Sequence, residues 1–121
     1  SLVSALPTSL VECSVALNSD FDFSLFTRLT RLGLSLFEKV CVMFPACLLD
    51  LTLVCGELGK SNLGDIQLEK FFSGPNRLIT QEELETLPKG LQEIIGEFEQ
   101  RSLRERLSEM FPLLRSQGNW L

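Results

Sequence analysis

The residues best equipped for covalent or metal chemistry in this chain are four cysteines, Cys13, Cys41, Cys47 and Cys55. Their spacings match no zinc motif, no Cys-x-x-Cys pair occurs, and the chain has no histidine to complete a mixed site. A cysteine nucleophile needs a basic neighbour to reach the thiolate, and none of the four has such a signature. Three of them fall in strongly apolar runs, where a free cysteine behaves as a small buried hydrophobe. They read as reduced structural thiols, with a disulfide pair as the alternative. Reduced thiols point to an intracellular setting, cytoplasm or nucleus.

Acid–base chemistry fares no better. Without histidine the commonest general base at neutral pH is missing, and without tyrosine another proton donor is gone. The carboxylate pairs Asp20 with Asp22 and Glu82 with Glu83 read as helix-start charges favoured by the macrodipole. Asp20-Phe21-Asp22 lacks the remaining ligands of a calcium loop. Gly56, Gly59 and Gly64 are not followed by the Lys-Ser/Thr ending of a phosphate-cradling loop. The sequence therefore assigns no catalytic residue, no metal ligand and no cofactor, and it reads as a non-enzyme.

Candidate binding residues are Phe21, Phe23, Arg101, Arg104, Trp120 and Leu121. The two phenylalanines alternate with acids, and either staple the start of a helix or form an exposed recognition knob. Arg101, Arg104 and Arg106 read as a solvated face beside Glu99, Glu105 and Glu109, or as a patch for an acidic partner. Trp120 and Leu121 are either docked on the core or offered to a partner.

The elements expected to carry these residues are helices. At 121 residues, 45% hydrophobic and 22% charged, the chain is long enough to bury a core without staples. Leucine is over-used and β-branched residues are modest, a bias that favours helix over sheet. Residues 8–18 read as a first helix capped by Thr8 or Ser9. Over 22–44 the apolar side collects Leu25, Phe26, Leu29, Leu32, Leu36, Phe37, Val40, Met43 and Phe44, with Arg28, Arg31, Ser35, Glu38 and Lys39 opposite. Gly33, near the centre of that side, implies close approach of a neighbouring helix. Pro45 starts the next helix, 46–58, apolar nearly all round. Its only charge before Glu57 is Asp50, which either sits at an edge, caps a backbone group, or joins a buried ion pair.

A short helix follows over 65–72, stopped by Gly74-Pro75. Thr80-Gln81-Glu82-Glu83 fits a capping box, with Leu84 and Leu87 facing inward before Pro88. Residues 89–100 and 103–111 read as two helices, the second opened by another capping box at Ser102-Leu103-Arg104-Glu105, or as one continuous helix. No internal repeat of fixed period is evident. The sum is an all-α, compact bundle of six or seven helices. It forms a single domain over 1–121, read as excised from a larger protein because it begins without methionine.

The pair of helices joined at Pro45 resembles a helical hairpin of a HEAT or armadillo array, over residues 24–58 only and with no diagnostic motif. The most apolar stretch, 40–56, is short of a membrane span. The net charge of −5 and the lack of a basic stripe argue against nucleic acid. The function expected is a helical protein–protein interaction domain, a scaffold or subunit of an intracellular complex. Its partner would be another protein or another part of its own parent chain. The alternatives are a carrier of lipid or another small apolar ligand, and a homo-oligomerisation domain.

Overall fold

In the segment Arg31-Leu32-Gly33-Leu34-Ser35-Leu36 every second residue is leucine, which is the period of a strand and not of a helix. The same alternation recurs in Val40-Cys41-Val42-Met43 and in Asp50-Leu51-Thr52-Leu53. The computed structural model describes residues 9–74 and 76–118, and in it these segments are strands. In chain order the elements begin with β1 (Glu12–Leu17), β2 (Phe21–Asp22), β3 (Arg31–Leu36), β4 (Val40–Met43), β5 (Asp50–Cys55) and β6 (Leu58–Ser61). A 3₁₀ turn at Leu63–Asp65 leads to β7 (Lys70–Ser73), β8 (Leu78–Ile79) and α1 (Gln81–Thr86). The last are β9 (Glu93–Ile95), β10 (Glu97–Phe98), α2 (Arg101–Glu105), α3 (Leu107–Met110) and β11 (Ser116–Gly118).

The all-α helical bundle is thus wrong, and with it the HEAT or armadillo hairpin. The burial of individual residues shows why. A helix over 22–44 would bury Leu25 and Phe37, yet both are 73% exposed, while Leu34, left off that helical face, is fully buried. Leu32, Leu36 and Val40 satisfy both periods, so the helical reading drew on positions that do not discriminate. The 46–58 segment likewise holds strand β5, with Leu51 and Leu53 buried and Val54 exposed. Leucine's helical preference is weak beside the burial that stacking supplies, about 1.5–3 kcal/mol per fully buried side chain.

The strands build a solenoid. Six of them form one parallel sheet in the order β1-β3-β5-β7-β9-β11, and β2-β4-β6 form a second, with β8 and β10 paired beyond it. Along the main sheet the register partners Glu12, Arg31, Asp50, Lys70, Glu93 and Ser116 lie 19, 19, 20, 23 and 23 residues apart. A repeat is therefore present, with a length that drifts. One carbonyl per coil marks its start. Val11 O accepts from Thr30 N and Arg31 N, and Thr30 O from Leu49 N and Asp50 N. Leu49 O accepts from Glu69 N and Lys70 N, and Glu69 O from Gln92 N and Glu93 N.

Inside, equivalent residues stack in columns. Leu32, Leu51, Phe71 and Ile94 form one, and Leu29, Leu48, Leu68 and Leu91 another, all buried. The first coil is less well covered: Cys13 and Val15, in register with Leu32 and Leu34, are only half-buried. Each coil returns along a third side through a turn, the 3₁₀ segment, α1, or α2 with α3. The longer coils are those that return through an α-helix. Asn62 ties the second and third coils together, its side chain accepting from Phe44 N at 2.6 Å and donating to Phe44 O at 2.9 Å.

The Thr80 cap is present, with Thr80 Oγ1 accepting from Glu83 N at 3.2 Å. The other half of the expected box is not, because the Glu83 carboxylate receives Arg77 instead. This bidentate pair is buried, and Arg77 also donates to Gly56 O at 2.9 Å and Ser73 Oγ at 3.0 Å. The second expected box is absent: α2 starts after Gln100, with no side-chain cap.

Two stability predictions follow from these contacts. Glu83→Ala leaves a buried guanidinium unpaired and should cost about 3–5 kcal/mol in denaturant unfolding, with much of this recovered in the double variant Arg77→Met/Glu83→Leu. Gly56 has φ +86°, and a Cβ there would lie 2.2 Å from Leu36 O, whereas nothing lies within 4 Å of one at Gly90. Gly56→Ala should therefore lose more than about 1 kcal/mol and Gly90→Ala should be nearly neutral by the same measurement.

Candidate interaction surface

Strand alternation sends Leu32, Leu34 and Leu36 inward and must send Arg31, Gly33 and Ser35 outward. Because the main sheet is in register, each outward position becomes a row running across the strands. The first row is Glu12, Arg31, Asp50, Lys70 and Glu93, which alternates in sign from end to end. Arg31 Nε lies 3.3 Å from Asp50 Oδ2, and Lys70 Nζ lies 4.0 Å from Glu93 Oε2. Asp50 is thus in an ion pair, but on an accessible face, with 22% of its side chain exposed against 64% for Arg31. Such pairs add little stability in water, at most about 1 kcal/mol each.

The second row is Ser14, Gly33, Thr52, Phe72 and Ile95. It is small and polar at one end and apolar at the other, and every member is exposed or half-buried. Gly33 does mark a close approach, of a strand instead of a helix: a Cβ there would lie 3.1 Å from Ser14 Oγ. A depression of about 490 Å³ crosses this face, lined by residues of β1, β3, β5 and β7, most of them outward.

A second, more open groove of about 570 Å³ lies along the β2-β4-β6 sheet, between Phe21, Met43, Lys60 and the carboxylates Asp20, Asp22 and Asp65. Two of these carboxylates shape the backbone: Asp20 accepts from Cys41 N and Asp22 from Ser24 N, each at 2.8 Å. Hydrogen bonds from the Ser24 side chain and amide hold the Asp22 carboxyl below its ordinary value. Among the described residues no group of three or more His, Cys, Asp or Glu could hold a metal ion.

The residues singled out from sequence do not converge. Phe23 is buried, and Phe21 is half-buried with its ring edge-on to Phe23 at 4.5 Å and 6.5 Å from Phe26. Arg101 is exposed at the start of α2 and Arg104 half-buried within it. Trp120 and Leu121, like the Thr8 cap, lie outside the described residues. The charged row was missed because its members come from five different coils. The signal that would have found it is the recurrence of a charge just before a Leu-x-Leu or Phe-Phe step at Arg31, Asp50 and Lys70.

All four cysteines are free. Cys41 is exposed, Cys47 Sγ donates to Leu29 O at 3.1 Å, and burial raises the Cys13 thiol above its ordinary value. Alkylation of the native protein followed by mass spectrometry should therefore modify Cys41 first and Cys13 and Cys47 much later. Among the described residues no helix is long and apolar enough to cross a membrane. No family model matches this chain, and neither a curated protein nor a solved structure is significantly similar to it.

Proposed function

We propose that the chain is a non-catalytic protein-binding module, a scaffold or subunit of a complex, that presents the outward face of its main sheet to a polypeptide partner. The observation that carries this reading is the pair of in-register rows on that face, one of alternating charge and one grading from small to apolar, around a shared depression. Solenoids of this kind use their continuous sheet faces as extended binding surfaces. Coils of 19 to 23 residues with a leucine-rich strand and a turn or helical return follow the architectural rule of leucine-rich solenoids. Charged and apolar groups side by side suit a protein surface, where the charges fix register and the apolar groups supply burial.

The partner is another protein, part of the parent chain or a second copy of this chain, and the free thiols support a reducing compartment, cytoplasm or nucleus. The lipid-carrier alternative loses the cavity between helices on which it was based. The test is capture from cell extract with the wild-type chain, with Thr52→Arg on the sheet face and with Leu25→Glu on the return side. Proteins retained by wild type and Leu25→Glu should drop about tenfold or more with Thr52→Arg. Equal capture by all three would defeat the proposal.

A further inference from the structure

We infer that the partner fitting the main-sheet face is a second copy of this chain, docked face to face about a two-fold axis that runs along the strands between β3 and β5. This deepens the proposed function and rests on it. A two-fold axis along the strand direction keeps each row facing itself but reverses strand order. The outcome then depends on where the axis falls. Centred on a strand, it sets like charges of the alternating row against each other; centred between two strands, it sets opposite charges together.

Centred between β3 and β5, it places Arg31 over Asp50 of the second copy and Glu12 over Lys70 of the second copy, each twice. Four opposite-sign pairs result, at the roughly 10 Å separation of packed sheets, a span that an arginine and an aspartate, or a lysine and a glutamate, can bridge. The second row fits the same axis. Gly33 meets Thr52, two small residues nearest the centre, and Ser14 meets Phe72, a small residue against a large one. The depression selects this position from the other between-strand axes, because its lining comes from β1, β3, β5 and β7 and its midline lies between β3 and β5.

The face is small. Four strands at about 4.8 Å spacing and about five residues at about 3.3 Å bury an area at the weak, transient end of specific interfaces. The dimer is accordingly micromolar or weaker, and added salt loosens it.

The experiment is sedimentation equilibrium of the full chain up to several hundred micromolar, with single charge reversals. Wild type should reach a dimer. Arg31→Asp alone and Asp50→Arg alone should each associate about tenfold or more weakly, since each sets two like-charge pairs across the axis. An equimolar mixture of the two variants should dimerise again, because the Arg31→Asp copy then opposes the Asp50→Arg copy with complementary charge at both positions. A loss caused by misfolding would not be rescued by mixing. A wild type that stays monomeric throughout overturns the inference but leaves the extract-capture result standing. Dimerisation that survives both reversals, or variants that fail to recover on mixing, also overturns it.

Discussion

Everything in this molecule depends on in-register stacking of parallel strands. No coil has a core of its own. Leu34 is buried because Val15 lies on one side and Leu53 on the other, and the same holds along every column. The carbonyls of Val11, Thr30, Leu49 and Glu69 each anchor the first residues of the following coil, so the backbone passes the register from coil to coil. Stability in such a stack is close to a sum of nearest-neighbour terms. The cost of that dependence shows at the first coil, where Cys13 and Val15 occupy column positions but are only half-covered.

The same register that builds the core writes the surface. A residue's place on the outward face is fixed by its position within the coil, so a charge at one coil position becomes a row when it recurs. Alternation of sign along Glu12, Arg31, Asp50, Lys70 and Glu93 lets neighbouring strands sit at strand spacing without like-charge repulsion. The interior carries a corresponding polar feature. Where the column runs from Leu53 to Ser73, the guanidinium of Arg77 bonds the Ser73 hydroxyl and the Gly56 carbonyl of the preceding coil. Glu83, drawn from its helix start to neutralise that charge, links α1 to the same point.

The local content of the structure was legible in the sequence, and its long-range content was not. The Thr80 cap and the inward Leu84 and Leu87 involve residues close in the chain. The fold class was misread because Leu32, Leu36 and Val40 fit two periods at once, while Leu25, Leu34, Phe37, Val42 and Met43 separate them. The repeat was hidden by its drift from 19 to 23 residues, which defeats a search for one fixed period. The charged outward row could not be read without the register, since its members sit 19 or more residues apart, and in the Arg77 network the bond to the Gly56 carbonyl joins residues 21 apart through backbone that no side-chain pattern reports.

The drift in coil length has a consequence of its own. Every extra residue in the fourth and fifth coils is taken up on the way back, by α1 or by α2 with α3, while the spacing between neighbouring main strands stays that of any sheet. The added length is thereby placed on the return flank, and the main sheet keeps a constant metric. A polypeptide organised in this way can lengthen its returns, exchange helices for turns or accept grafted loops there, and its patterned side remains a ruler with marks one strand apart.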